Sequence, residues 1–303
     1  MIVTLKQILN KANKGNYAVG AFNINNMEIA QAIIRASVAQ KAPVILQTSE
    51  GAINYAGLEY LRCIAYQAAK EKVPVALHLD HGRDLDLIKK CIKAGWTGIM
   101  YDGSHLPFDE NVKNTKKVAQ WAHAKGIGVE AELGTIGGAE EKIVARQIIY
   151  TDPDAAEEFA KKTKCDALAI AIGTSHGAYK FEGAPRLDLH LLKTIKERLQ
   201  MPIVLHGASG VPAWLVTQAA RYGAQLGKPE GVPDEQIATA VSYGVNKINT
   251  DTDLRLAFDA AVRKFLTEKP EDFDPRHILA PARDLIQQIV EHRIKLFGSS
   301  GKA

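Results

Sequence analysis

The segment LHLDHG, Leu77–Gly82, closes the apolar run KVPVA with His78, Asp80 and His81. Side chains that are costly to bury unpaired thus end a stretch that otherwise reads as a buried strand. Two more histidines stand in the same relation to apolar runs, His176 after CDALAIAIGTS and His206 after PIVL. Neutral imidazoles arriving from three strands suit Zn²⁺, which binds nitrogen at about 2.0–2.1 Å, and three protein ligands leave one position open for a reactant. His81, His176 and His206 are therefore candidate metal ligands. Asp80, next to the first of them, is placed either to orient a histidine or to carry a proton. His78 lies two residues before Asp80, hence on the same face of a strand, and reads as a supporting residue of the interior. Asp102 and Glu132 end two further apolar runs; they are either a second cation site, divalent or monovalent, or ordinary ion-pair partners of nearby Lys and Arg.

Two other segments offer anion chemistry. HGASGVP, from His206, combines Gly207 and Gly210, where the backbone can approach an anion, with the hydroxyl of Ser209 and a proline, Pro212, suited to the first turn of a helix. NTDTD, from Asn249, adds Asp251 and Thr252. Side by side, the two segments read as a phosphate cradle. GTIGG, by contrast, lacks the spacing of a dinucleotide fingerprint and leads into a polar loop rather than a helix.

These residues need a scaffold that brings them to one place. Short β-rich runs alternate with amphipathic helical stretches along the whole chain: YAVGAFN, APVILQTS, VPVALHLD, TGIMYD, IGVEAELG, CDALAIAIGTSHG, PIVLHGAS and GVNKINTD. Continuous apolar strands separated by helical crossovers mark a parallel sheet covered on both faces. Eight such units predict an α/β fold, a (β/α)8 TIM barrel, with a doubly wound open sheet as the alternative. In a barrel the carboxyl ends of the strands form the site. Those ends carry Asn23, Ser49, Asp80 with His81, Asp102, Glu132, His176, His206 and Asn249. Between the runs, NNMEIAQAIIRASVAQK illustrates the helices, with Asn26 as cap and Ile29, Ile33, Ile34 and Val38 at helical spacing. No Gly/Ser- or Pro-rich linker divides the chain, so residues 1–303 read as one catalytic domain with a helical tail from about 270, closed by Gly298. Two long connections, TIGGAEEKIVARQIIYTDP and GAYKFEGAPRLD, are candidate lids.

Composition narrows the function classes. Lys and Arg number 38 against 34 Asp and Glu, a formal charge of +4 with basic residues dispersed among acidic ones. That distribution argues against nucleic acid and is compatible with a small anionic ligand. No apolar run reaches the roughly 18–20 residues of a membrane helix, and the N-terminal stretch reads as an amphipathic helix rather than a secretory signal. Cys63, Cys91 and Cys165 are odd in number, lack metal spacing and sit in apolar patterns, so they read as reduced core residues of a cytoplasmic protein.

Taken together, VGAFNINNMEIAQA, LHLDHG, MYDGSH, EAELGTIGGAE, AIGTSHGAYKF, LHGASG and KINTDTDLRLAF resemble the class II, zinc-dependent fructose-bisphosphate aldolases, in their shorter bacterial branch, over essentially the whole chain. The resemblance implies that His81, His176 and His206 hold a catalytic zinc and that Asp80 exchanges a proton with the hydroxyl at the broken carbon bond. It implies that Glu140, on the loop after the fifth strand, moves the proton of the dihydroxyacetone phosphate carbon; the loop reads GGAEEKI, so Glu141 is a second candidate for that carboxylate. Gly177, Lys180, Gly207, Ser209, Asn249, Asp251 and Thr252 would bind the ketose and its phosphate, with Asn23 and Ser49 as further polar contacts at the mouth. Arg276, in the tail, matches an arginine that reaches the far phosphate, in this family usually from an adjacent subunit, so a homodimer or homotetramer is expected. Zinc would polarise the ketose carbonyl as a Lewis acid, and no lysine would be required. Three alternatives stay open: the same chemistry on tagatose bisphosphate, a Schiff-base aldolase using Lys247, which shares strand parity with Asn249, and a non-catalytic barrel that binds zinc and a phosphosugar.

Overall fold

The computed structural model describes residues 1–140, 143–145, 149–176, 186–227 and 229–303; for 137–140, 143–145 and 175–176 it describes the backbone alone. The strands are β1 (Val19–Asn23), β2 (Val44–Ser49), β3 (Val75–Gly82), β4 (Gly98–Tyr101), β5 (Gly128–Leu133), β6 (Gly137–Glu140), β7 (Ile143–Ala145), β8 (Ala167–Ile170), β9 (Ser175–His176), β10 (Ile203–Leu205) and β11 (Val245–Thr250). Eight of them close into a barrel in the order β1-β11-β10-β8-β5-β4-β3-β2, every pairing parallel. The open-sheet alternative is thereby excluded. The eight β-rich runs of the sequence each coincide with one barrel strand, β3 running two residues past its run to Gly82.

The helices are α1 (Leu5–Gly15), α2 (Met27–Gln40), α3 (Glu50–Ala56), α4 (Leu58–Ala68), α5 (Leu85–Ala94), α6 (Phe108–His123), α7 (Pro153–Thr163), α8 (Leu189–Leu199), α9 (Ala213–Arg221), α10 (Asp234–Ser242), α11 (Thr252–Glu268) and α12 (Pro275–Leu296). Local chemistry starts many of them. Thr4 and Gln7 form a capping box on α1, Asn26 caps α2, and Asp152 and Asp274 cap α7 and α12 ahead of a proline in the first turn. Four features depart from the sequence expectations. Helix α3 is an addition to the alternation read from the sequence, inserted between β2 and α4. Pro212 takes the cap position of α9 instead of its first turn. Val38 faces outward, and Ser37 takes the buried place on α2. Cys63 is exposed while Cys91 and Cys165 are buried: α4 buries Leu61 and Ala65, four apart, and a residue two positions on points to the opposite side.

Two apolar layers result. An outer core fills the space between strands and helices, and a smaller inner one fills the lower barrel. There α1 lies across the amino-terminal end, packing Leu5, Ile8, Leu9 and Ala12 against Val19, Ala21, Ile45, Ala76, Ala167, Ala169 and Val204. The approach is close enough to demand glycine: a Cβ on Gly128 would come within 2.6 Å of the Lys6 amide nitrogen. At the opposite end, β6, β7 and β9 form a separate three-stranded sheet, with Gly138 in register with His176. The first long connection therefore contains strand structure, joined directly to the strand that carries the second candidate histidine.

Candidate active site

His81 reaches the mouth through an irregularity of the backbone. Strict alternation would send it to the helix layer, opposite to Asp80. The β3–β4 register instead slips between Leu79 and Gly82, so that Asp80 and His81 oppose a single residue, Met100. His81 adopts φ +46°, a left-handed conformation, and its amide points to the Met100 sulfur at 3.4 Å. The bulge turns the imidazole inward.

There it meets His206, which continues the inward parity of Val204. His81 Nε2 and His206 Nδ1 are 3.0 Å apart. Asp102 Oδ2 lies 3.2 Å and Glu132 Oε2 3.8 Å from His81 Nδ1, and Glu132 Oε2 lies 3.4 Å from His206 Nδ1. Two overlapping sets, Asp80 with His81 and His206, and His81 with Asp102 and Glu132, each present three ligand atoms within 4.8 Å of one another. Imidazole nitrogens and carboxylate oxygens within reach of one ion form a donor set that fits zinc. Asp102 is also an ion-pair partner, the other alternative read from the sequence: it pairs with Arg83 at 2.7 Å and accepts from the Ser104 hydroxyl at 2.6 Å.

The charges are strongly coupled. Burial works against protonation of His81, but Asp80, Asp102 and Glu132 outweigh it and raise its pKa to about 10. His206 moves the other way, to about 4, through burial and the repulsion of His81 against the hydrogen bond to Glu130. Burial together with the Asp102 charge lifts Glu132 to about 8. Asp80 is lowered although burial opposes it, because the charges of His81 and Lys247 outweigh the desolvation.

Asp80 makes its hydrogen bonds to side-chain amides. Oδ2 accepts from Asn23 Nδ2 at 3.1 Å and Gln47 Nε2 at 3.3 Å, and Oδ1 accepts from Asn249 Nδ2 at 3.0 Å. Gln47 also donates to Asn23 Oδ1 at 2.6 Å. One layer down, Glu130 gathers His206 Nε2 at 2.7 Å, Lys247 Nζ at 2.9 Å and His78 Nε2 at 3.3 Å. His78 is thus a supporting residue. Lys247 is fully buried, pinned by Glu130 and by Asn249 Oδ1 at 2.6 Å. An ammonium held in an ion pair is poorly placed to attack a carbonyl.

The residues read from the sequence as a phosphate cradle lie at the ends of the adjacent strands β10 and β11. Gly207 has φ +59°, Ser209 is buried, Asp251 pairs with Arg255 at 2.6 Å, and Thr252 opens α11. Ser49 ends β2 and caps α3 by accepting from the Ala52 amide at 3.1 Å. Glu140 and His176 are described in backbone only; Glu141, Gly177 and Lys180 lie outside the described residues. Arg276 does not join the mouth: its side chain is 85% exposed and pairs with Asp274 at 2.5 Å. Gln47, Arg83 and Glu130 belong to the site although strand ends alone do not reveal them. Parity reveals two of the three, since Gln47 precedes Ser49, and Glu130 precedes Glu132, by two residues.

Both the sequence and the fold are similar to those of known proteins. The family model for fructose-bisphosphate aldolase class-II matches residues 3–226 and 229–302. A fructose-bisphosphate aldolase of Thermus caldophilus is 47% identical over 305 residues, covering all of both chains. One from Giardia intestinalis is 48% identical over all of this chain and 94% of its own. Among solved structures, the YdjI aldolase of Escherichia coli K12 superposes with a TM-score of 0.82 at 34% identity, covering 100% of each chain.

Proposed function

The chain belongs to the class II fructose-bisphosphate aldolases, and from that premise we propose how the mouth of its barrel works. The enzyme is a carbon-carbon lyase that reversibly splits fructose 1,6-bisphosphate into dihydroxyacetone phosphate and glyceraldehyde 3-phosphate. The tagatose bisphosphate alternative is not favoured, since these relatives carry the fructose-bisphosphate name.

One observation carries the mechanism: three amides aim Asp80 into a mouth where the His81 and His206 rings face each other at 3.0 Å. Asp80, kept ionised, accepts the proton of the hydroxyl on the fourth carbon. That carbon becomes the aldehyde, and the electron pair of its bond to the third carbon moves toward the ketone oxygen. Glu140 then delivers a proton to the third carbon; the pairing of its strand with the strand of His176 supports this assignment. His81, His176 and His206 would hold a zinc ion, which when bound supplies Lewis acidity to the ketone. Asp102 and Glu132 offer a second position for the same ion or for another cation. Gly207, Ser209, Asn249, Asp251 and Thr252, with Gly177 and Lys180, hold the ketose and its phosphate, so that binding energy far from the bond fixes its orientation. Asn23 orients Asp80, and Ser49 borders the sugar.

Arg276 reaches the far phosphate of a neighbouring subunit's substrate in a homodimer or homotetramer; its exposure on the tail supports this. The chain acts as one catalytic unit in the cytoplasm, and no described helix is long and apolar enough to cross a membrane. The test is metal analysis combined with a cleavage assay. A chelator should abolish cleavage of fructose bisphosphate and zinc should restore it. Full activity in metal-stripped protein refutes the reading, as would borohydride trapping of substrate on Lys247. Rates on both sugars measured side by side test the substrate.

A further inference from the structure

The loop after β10 contains a conformation that must be held in place. Val211 has φ +46°, unfavourable for a β-branched residue, just after Ser209 and Gly210. Its amide donates to Asp253 Oδ1 at 2.8 Å, and the Gly210 amide approaches Asp253 Oδ2 at 3.3 Å. Asp253 lies in the first turn of α11, one residue beyond Thr252, and is fully buried. Its carboxylate thus joins the two segments of the cradle, those after β10 and after β11.

The countercharge comes from the far end of the chain. Arg293, in the last turn of α12 and 2% exposed, places Nε 3.0 Å and Nη2 2.9 Å from Asp253 Oδ2. Its Nη1 pairs with Asp234 at the start of α10 at 2.6 Å. The guanidinium also lies against the loop itself: a Cβ on Gly210 would fall 2.1 Å from Nη2. On the other side Gly231 approaches so closely that its Cβ would fall 2.2 Å from the Gly210 carbonyl carbon, and the Val232 amide donates to the Ser209 carbonyl at 3.1 Å.

We propose that Arg293 is a positioning residue for ketose-phosphate binding, holding the Ser209–Val211 loop and the Asn249–Thr252 segment in one register through Asp253. This rests on the reading of those segments as the phosphate cradle. The tail helix then does more than cover the barrel, because its final turn sets the geometry of the anion site. A planar, always charged fork spans Asp253, Asp234 and the face of Gly210 at once, which a lysine cannot do.

The experiment compares Arg293→Met/Asp253→Asn, which removes both buried charges together, with Arg293→Lys, which keeps the charge without the fork, and with Ser209→Ala. Zinc content, far-ultraviolet circular dichroism, KM against kcat for fructose bisphosphate, and calorimetric Kd for dihydroxyacetone phosphate are measured on each zinc-loaded protein. The double variant should stay folded and metallated, with KM and Kd raised about tenfold, the equivalent of one good hydrogen bond, and the loss concentrated in KM; the lysine variant should fall between. Parental KM and Kd in the double variant, while Ser209→Ala weakens both, overturn the positioning role and leave the cradle standing. Silence of Ser209→Ala as well refutes the cradle, and the inference with it. Should the double variant not fold, Arg293→Lys decides: a parental Kd overturns the role and a raised one supports it.

Discussion

Replacing Asp80 by asparagine changes one atom in the most densely hydrogen-bonded carboxylate of the mouth. In the native arrangement Oδ2 serves Asn23 and Gln47, and Oδ1 serves Asn249. An asparagine can present its oxygen to the first two, but its amino group then faces the Asn249 amino group. Asn249 cannot flip to accept, because its own oxygen is 2.6 Å from the Lys247 ammonium. One buried donor is left without an acceptor, a cost of about 1–3 kcal/mol in stability, readable as a lower urea midpoint with an unchanged slope. Catalysis should suffer more. Without a basic oxygen the proton of the substrate hydroxyl has no acceptor, and loss of general-base action costs about 10²–10⁴ in kcat, or roughly 2.7–5.5 kcal/mol of barrier. Metal content should not change, since His81 and His206 keep their positions. Asp80→Ala should also retain metal and lose most turnover, with a larger drop in stability because Asn23 and Asn249 both lose their acceptor and Gln47 keeps only Asn23 Oδ1. The assay couples fructose bisphosphate cleavage to NADH oxidation, alongside elemental analysis. A fully metallated Asp80→Asn protein turning over within about tenfold of the parent would refute the assignment.

Metal uptake should depend on pH: His81 carries a proton below a pKa of about 10 in the metal-free protein, and a ligand must shed it. Apparent zinc affinity should therefore rise by up to about tenfold per pH unit between pH 7 and 9, with proton release visible by calorimetry in buffers of different ionisation enthalpy. A pH-independent affinity would contradict this. The raised pKa also means that His81 stabilises the metal-free fold fully below about 6.5 and that this contribution fades as pH climbs toward 10, so the melting temperature of metal-free protein should fall over that interval. Lys247→Met should cost about 3–5 kcal/mol of stability by leaving Glu130 buried without its ammonium, and adding Glu130→Gln should recover part of it; additive effects would show that the pair is not coupled. Gly82→Ala should weaken zinc binding, because its Cβ would fall 2.7 Å from the Met100 carbonyl oxygen and press on the bulge that turns His81 inward; parental zinc affinity would argue that the bulge tolerates displacement.

Much of this was legible in the residues because burial on both faces of a parallel sheet leaves a strong signature. Each apolar run holds a barrel strand, and the polar residue at its end marks the mouth. That rule found Asn23, Asp80, Asp102, Glu132, His206 and Asn249. It passed over Glu130 and Gln47, which sit one layer deeper in runs that read as plain strand. The inward turn of His81 follows from one extra residue in β3, which alternation cannot express. Helix α3 has seven residues and follows β2 directly, too short for a periodic signal. Arg293 was invisible for another reason: in sequence it is one more basic residue near a helix end, and only its packing against Gly210 and Asp253 gives it meaning.

The first helix gives the molecule a consequence of its own. With Leu5, Ile8 and Leu9 stoppering the lower rim, the polar layer of Glu130, His78 and Lys247 rests, among the described residues, on an apolar floor. On the proposed reading, sugar and ion therefore meet Asp80 and His81 from the carboxyl ends of the strands.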